Sequence, residues 1–124
     1  MKAYGKIDWG FSAGCVPLES TGAEPQFISH DKIAVLNTSD QKASVELTIF
    51  FEDVPPLGTF KVEVDARRLR KIRFNDLVDP LPIELGKPFS CLIQSDVPVV
   101  VQFSRLNSGS GSVAEMGGMA FPIT

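Results

Sequence analysis

The sequence predicts an all-β fold of about eight strands, whose spacing fits a sandwich or a barrel, and we expect one antiparallel, jelly-roll-like β-sandwich. Several short segments alternate strictly between apolar and polar residues, which is typical of half-buried strands. Nine Pro and ten Gly lie between those segments, as expected for the turns of a β protein. No segment has a convincing helical period, and 124 residues fit a single domain over residues 1–124.

The N-terminal part combines one strand with a long connection. Residues 4–9 are expected to form a first strand that ends at Trp9. The sequence that follows, GFSAGCVPLESTGAEP, is rich in Gly, Pro and Ser and is expected to be a loop. A loop of this length in a compact domain usually covers or binds something. Short extended segments at 26–29 and 32–36 come next, before a turn.

The centre of the chain carries the clearest alternation. Residues 43–52 place five apolar side chains on one face: Ala43, Val45, Leu47, Ile49 and Phe51. This period of two predicts a half-buried strand. Residues 59–65 alternate in the same way, and 67–74 follow after a turn. We expect the segments 59–65 and 67–74 to pair as a hairpin.

The C-terminal half is expected to hold three further strands. Residues 89–94 alternate, and Ser95 and Asp96 are expected to turn the chain into another strand over 97–104. Pro98 fits only near the beginning of that strand or at a sheet edge, because it has no N–H to donate. A flexible Gly- and Ser-rich loop is expected at about residues 107–118, before a last apolar segment over 119–123.

Two apolar residues exceed what one buried face can hold. Phe50 and Val100 fall at positions that should point away from the core. Apolar side chains on an outer face need a cover, so the sequence predicts a homo-oligomer.

Charge is distributed unevenly along the chain. Five of the twelve basic residues form a basic strand within seven positions: Arg67, Arg68, Arg70, Lys71 and Arg73. The remaining seven basic residues stand against fifteen acidic ones, which gives the rest of the chain a net charge of −8. Three interpretations of the basic strand stay open: a solvated face, ion pairs with a neighbouring subunit, or contacts with nucleic-acid phosphates.

The apolar runs, the two cysteines and the single histidine limit which functions the chain can have. The N-terminus has no apolar signal core, and no window approaches the ~18 apolar residues of a membrane span, so we expect a cytoplasmic protein without membrane insertion. Cys15 and Cys91 make neither a disulfide framework nor a full zinc site. His30 is the only histidine, and its neighbours Ser29 and Asp31 cannot converge with it on a strand. No metal, cofactor or enzymatic activity is therefore expected.

Two acids could be proposed as a glycosidase pair. Asp76 and Asp79 lie beside Asn75 and Pro80, where side chains that form turns are the better explanation.

A different set of polar residues suits a hydroxyl-rich ligand. Such ligands are oriented by a few convergent donors and acceptors against an apolar wall. The candidate ligand-binding residues are Trp9, Glu24, Gln26, His30, Asn75, Gln94, Gln102 and Arg105. The alternative for the two strand glutamines is that they satisfy backbone groups at sheet edges or between subunits.

Four motifs carry a family resemblance. EPQFISHD, VELTIFF, DARRLRKIRFNDLVDPLPI and IQSDVPVVVQFSRL, in this order, resemble the sensory rhodopsin transducer family over nearly the whole chain. The resemblance implies a small soluble β-sandwich that assembles as a cyclic homotetramer and couples to a sensory rhodopsin at the cytoplasmic membrane face. For relatives without a rhodopsin it implies small-molecule binding, with a carbohydrate-like ligand or nucleic acid as suggested partners. The tail after residue 108 matches less well.

Together these observations favour a non-enzymatic signal-transducing or small-molecule-binding module. Two alternatives remain: an enzyme acting on a sugar-like metabolite, and a DNA-binding regulator that uses the basic strand 67–73.

Overall fold

The structure is a computed structural model that describes residues 3–15, 30–78, 80–83, 87–107 and 114–123. These residues form eight strands and one turn of 3-10 helix, so the all-β prediction is confirmed. The strands are β1 Lys6–Cys15, β2 His30–Asn37, β3 Ala43–Phe50, β4 Leu57–Val64, β5 Arg68–Arg73, β6 Pro88–Asn107, β7 Ala114–Met119 and β8 Phe121–Pro122, and the 3-10 turn is Phe74–Asp76.

The strands pair antiparallel in two sheets that share one strand. Sheet I has the order β4-β3-β6-β1-β8. Sheet II has the order β5-β2-β6-β7. The arrangement is consistent with a β-sandwich, because the inner faces of the two sheets enclose one apolar core.

Strand β6 joins the two sheets. It is a single strand of 20 residues, so the predicted turn at Ser95 and Asp96 was wrong. Ser95 is buried and lies opposite Val45 in sheet I, so the ladder continues through this position. Five residues further on, Val100 lies opposite Leu36 in sheet II.

Pro98 lies where β6 passes from one sheet to the other. On the β1 side, Lys6 is opposite Val99 whereas Asp8 is opposite Gln94, so β6 contains extra residues at this irregularity. Pro98 has no assigned partner in the described ladders. A proline is tolerated here because its missing N–H removes no ladder bond.

The predicted hairpin between residues 59–65 and 67–74 was also wrong. β4 pairs with β3 in sheet I, whereas β5 pairs with β2 in sheet II. The turn between them carries the chain from one sheet to the other. In that turn Arg67 has a φ of 57°, and its N–H donates to the carbonyl of Ser39 at 3.1 Å. The two strands are neighbours in sequence but belong to different layers.

Both predicted loops contain strand residues. β1 continues past Trp9 to Cys15, which lies opposite Pro88. Residues 114–118 belong to β7, which pairs with the end of β6. The Gly and Ser residues of these two segments predicted loops. Pairing with β6 stabilises them as strands although their local strand propensity is low. Residues 16–29, including the predicted segment 26–29, and residues 108–113 lie outside the description.

Four aromatic rings hold the two layers together at one end of the core. Phe11 of sheet I packs on Phe103 of sheet II, with ring centroids 4.4 Å apart. Phe74, in the 3-10 turn after β5, contacts Phe11 at 5.6 Å and Phe89 at 5.2 Å. Such aromatic pairs contribute about 0.5–1.5 kcal/mol each beyond the area they bury.

Cys91 belongs to this core and should be chemically inert. Its side chain is buried on the inner face of β6, and burial raises the pKa of the thiol to about 12. Because only the thiolate is a good nucleophile, the folded protein should not react at Cys91 near pH 8. In a Cys15→Ser variant, we expect a thiol reagent to modify Cys91 only after denaturant unfolds the protein. Rapid modification of the native variant would contradict the buried placement.

Candidate functional site

The predicted aromatic wall, Trp9, is part of the core. Trp9 is buried, and its indole N–H is shared between the carbonyls of Lys6 and Val99, each at 3.0 Å. The contact with Val99 spans 90 residues of sequence and fastens β1 to the point where β6 changes sheet. A buried indole usually needs such an acceptor, so this geometry gives Trp9 a structural role.

The two predicted strand glutamines lie far from each other. Gln94 is exposed on the outer face of sheet I, opposite Asp8 and Glu46. Gln102 is exposed on the outer face of sheet II, opposite Ala34. Eight residues of extended chain separate them, about 26 Å at ~3.3 Å per residue. These glutamines do not converge on one small ligand.

Arg105 points inward and forms an ion pair. Its Nε donates to Asp31 Oδ1 at 2.7 Å, and its Nη2 donates to Asp31 Oδ2 at 3.0 Å. Asp31 is fully buried, and the Arg105 side chain is 22% exposed. This bidentate geometry is the strongest form of such a contact, and it joins adjacent strands of sheet II.

The remaining candidates are only partly described. His30 begins β2 opposite Leu106, and Asn75 lies in the 3-10 turn; the structure describes the backbone of both but not their side chains. Glu24 and Gln26 lie outside the described residues, as does Asp79, whereas Asp76 is exposed at the end of the 3-10 turn. The role of these residues in ligand binding therefore stays a prediction.

The basic strand does not present its five cations as one surface. Arg67 lies in the turn before β5, where it pairs with Asp40 at 3.6 Å. Arg70 donates to the carbonyl of Glu63 in β4 at 2.8 Å. Arg68 is exposed at the start of β5, and its Nη1 donates to the carbonyl of Arg67 at 3.0 Å. Lys71 and Arg73 alternate with these residues and lie on the outer face of sheet II.

That outer face combines an apolar row with positive charge. Leu69, Leu36 and Val100 lie opposite one another on β5, β2 and β6, and all three are exposed. Lys71 and Arg73 occupy the next two rows of β5, and Lys32 lies opposite Arg73. The exposed position predicted for Val100 is confirmed. We call Leu69, Leu36 and Val100 the sheet II apolar row.

The outer face of sheet I has an apolar patch of its own. A shallow depression of about 300 Å³ lies over Gly10, and its lining includes the apolar side chains of Phe50, Leu92, Phe121 and Ile123. The outward position predicted for Phe50 is confirmed. One row away, Lys61, Glu46, Gln94 and Asp8 run across the sheet and place two acidic side chains and one basic side chain on this face.

A cavity of about 350 Å³ opens at one end of sheet I. The β3–β4 connection forms one wall and Leu81, Pro82 and Lys87 contribute to the other, and Lys87 is the only charged residue among the described residues of the lining. The Lys87 ammonium lies 3.2 Å from Asp53 Oδ1 and 5.1 Å from the centre of the Phe51 ring. The sequence-based candidate set did not include this cavity, although Pro55, Pro56 and Pro82 marked rigid chain on both of its walls.

The described residues hold neither a metal-binding cluster nor a membrane-spanning helix. Within these ranges, no group of three or more His, Cys, Asp or Glu side chains is placed to hold a metal ion. Among the same residues, no helix has the length and apolar character needed to cross a membrane.

Comparison with known proteins gives the chain a family. The sequence model of the family described as the Anabaena sensory rhodopsin transducer matches residues 4–122. The chain belongs to this transducer family. The resemblance drawn from the four sequence motifs is thereby confirmed, and it extends over both sheets.

Two solved structures are similar to the transducer fold described above. The Anabaena sensory rhodopsin transducer is 41% identical with a TM-score of 0.75, and the match covers 83% of this chain and 97% of that one. Protein 1070 of Thermotoga maritima is 31% identical with a TM-score of 0.83, and the match covers 96% of each chain. Comparison with curated protein sequences gave no match. Family membership supports a signal-transducing module.

Proposed function

We propose that this protein is a non-enzymatic cytoplasmic transducer that assembles as a cyclic homotetramer and relays the state of a membrane receptor of the sensory rhodopsin type. The observation that carries the proposal is family membership over residues 4–122, together with a relative at 41% identity that is a sensory rhodopsin transducer. In this proposal the protein works by changing its contacts with partners, so it needs surfaces for a receptor and for its own copies.

The sheet II apolar row supports self-association. Three aligned apolar side chains on one outer face would stay in contact with water in a single chain. Burying such surface contributes about 25 cal/mol per Å² of apolar area. In a cyclic tetramer, a different face of the neighbouring copy would cover the row. We expect this row to be covered in the tetramer.

Leu36→Asp should break the assembly. The substitution places a carboxylate in the middle of the row, where subunit contact would remove it from water at a cost of several kcal/mol. By light scattering, the unmodified protein should have four times the 13.5 kDa mass of one chain, and the variant should have a smaller mass. Gln41→Asp adds the same charge at an exposed turn and should leave the mass unchanged. A single-chain mass for the unmodified protein at micromolar concentration would contradict the tetramer.

The acidic residues support docking to a receptor. Cytoplasmic loops of membrane proteins are rich in Lys and Arg, which attract an acidic surface. Outside the basic strand the chain carries a net charge of −8, and Glu46 and Asp8 lie on the outer face of sheet I. We assign the receptor contact to this face and the self-contact to sheet II.

Binding to a sensory rhodopsin in lipid nanodiscs tests the proposed function. Affinity should fall between about 50 and 500 mM salt, because a shorter Debye length weakens attraction between exposed charges. At low salt, Glu46→Gln combined with Asp8→Asn should weaken binding, whereas Asp76→Asn, which removes an exposed charge elsewhere, should not. No binding at either salt concentration, or an affinity that does not change with salt, would overturn the receptor assignment.

A further inference from the structure

We propose that the cavity at the end of sheet I binds a small amphipathic monocarboxylate, with its apolar body between the two walls and its carboxylate on the Lys87 ammonium. This inference goes beyond the proposed function, because it requires neither the tetramer nor a receptor. It also differs from the carbohydrate-like ligand expected from the sequence, and the chemistry of the lining is the reason.

The cavity has the size and character of a site for a small molecule. Its volume of about 350 Å³ lies at the lower end of the range for ligand pockets, roughly 300–1,000 Å³. Phe51, Val54, Leu57 and Leu81 supply apolar contact on both walls. Such walls fit a short alkyl or aryl body and offer a sugar few hydrogen-bond partners.

The walls are also held in shape before any ligand arrives. Pro55, Pro56 and Pro82 contribute to the lining, and a proline ring fixes the backbone φ of its residue. The β3–β4 connection is further anchored by Leu57, which begins β4 opposite Ile49. A preformed site loses little conformational entropy on binding, which leaves more of the contact energy for affinity.

Among the described residues of the lining, Lys87 supplies the charged group that can orient the ligand. Its side chain is 27% exposed, whereas that of its partner Asp53 is 71% exposed. The Phe51 ring lies against the ammonium, so the cation is positioned at the edge of the cavity. An ion pair with so exposed a carboxylate is weak, because water screens the attraction between the two charges. A ligand carboxylate can therefore replace Asp53 as the partner of Lys87, and the apolar part of the same ligand would be buried between the cavity walls.

A neighbouring cavity indicates that the site should favour a carboxylate over an amine. It measures about 250 Å³ and is lined by Glu52, Asp53, Lys87 and Pro88, so the ammonium stands between an apolar space and an acidic one. A ligand amine would be drawn to the acidic space and would be repelled by Lys87. A ligand carboxylate would bind from the apolar side and would compete with Asp53. Removal of the Asp53 charge should thus strengthen a carboxylate and weaken an amine.

The probes are hexanoate, its neutral amide and hexylamine, titrated into the full-length protein and followed by NMR of the methyl groups. Hexanoate should shift Val54, Leu57 and Leu81. The amide should bind at least about tenfold more weakly, because its carbonyl can still accept from the ammonium but carries no negative charge. Lys87→Met should weaken hexanoate by a similar factor, and Asp53→Asn should tighten it several-fold.

The matched control is Lys61→Met, which removes an exposed lysine that does not line the cavity and should leave hexanoate affinity unchanged. Melting curves of all the variants confirm that each is folded before titration. Equal affinity for hexanoate and its amide, tighter binding of hexylamine than of hexanoate, or shifts that miss the cavity methyl groups would each overturn the assignment. A failure of all three probes to bind would also overturn it. Rhodopsin binding and tetramer mass do not enter these outcomes, so this proposal and the proposed function fail separately.

Discussion

Gly5→Ala should destabilise the protein more than the same exchange at Gly10 or Gly58. Gly5 has a φ of +105°, a conformation that L side chains rarely adopt. A methyl group there would overlap the carbonyl of Val99 and lie 3.1 Å from the amide nitrogen of Val100. The obstacle is backbone, which cannot rotate aside, so we expect a loss of about 4 kcal/mol or more.

The position of Gly5 explains why this loss cannot be absorbed. Val99 lies where β6 passes between the sheets, and its carbonyl also accepts the indole N–H of Trp9. Moving Val99 away from a new methyl group would break that bond and disturb both layers. A loss of this size is a large part of the total stability of a small domain, about 5–15 kcal/mol.

Urea denaturation measures the effect. Unfolding can be followed by circular dichroism and by the fluorescence of Trp9, the only tryptophan. Gly10→Ala is the matched control, since a methyl group there meets its nearest neighbours at 3.4 Å, an ordinary contact. It should change stability by less than about 1 kcal/mol. If Gly5→Ala unfolds at the same urea concentration as the unmodified protein, the close approach of β1 to β6 is not as described.

Asn37→Ala should cost about 3 kcal/mol of stability, because it leaves several buried polar groups without partners. Asn37 is fully buried, and its Nδ2 donates to the carbonyls of Gln41, Val64 and Asp65 at 2.7, 3.2 and 3.2 Å. Its Oδ1 accepts from the backbone N–H and the hydroxyl of Ser39, at 3.0 and 2.7 Å. One side chain thus joins the end of β2, the next turn and the end of β4.

Comparison with two neighbouring substitutions separates the network from simple truncation. Gln41→Ala keeps the backbone carbonyl that Asn37 uses and removes only an exposed side chain, so it should be nearly neutral. Ser39→Ala removes one partner and should cost about 1 kcal/mol. Denaturation curves of the three variants give the comparison. If Asn37→Ala and Gln41→Ala have equal stability, Asn37 does not hold the turns together.

Local patterns in the sequence were sufficient to predict those strands that alternate strictly between apolar and polar residues. The alternation over residues 43–50 appears in the structure as the strict inward and outward alternation of β3. The outward positions of Phe50 and Val100 followed from the same period of two, because neighbouring residues on a strand must face opposite sides. The four long motifs also carried the family, which the match over residues 4–122 confirms.

The candidate site was harder to predict because residue type does not reveal direction. Arg105 and Gln102 are three residues apart on one strand, yet Arg105 turns inward to Asp31 and Gln102 faces solvent. Residue type predicted that Trp9 could provide an aromatic face for a ligand, whereas its side chain is buried in the core. The cavity beside Lys87 is formed by segments about thirty residues apart, so no local pattern could indicate it.

The sequence by itself determined the all-β class, the inner and outer faces of the clear strands, and the family, since each depends on side-chain order along the chain. Only the tertiary structure decided which strands pair. The backbone hydrogen bonds of a strand are satisfied equally by a strand that is near in sequence and by one that is distant. The prediction from sequence therefore paired β4 with β5 and divided β6 into two strands, and both assignments were wrong. The layer change is fixed by long-range contacts at Gly5, Trp9 and Asn37, where a missing side chain, an indole N–H and an amide meet backbone from elsewhere in the chain.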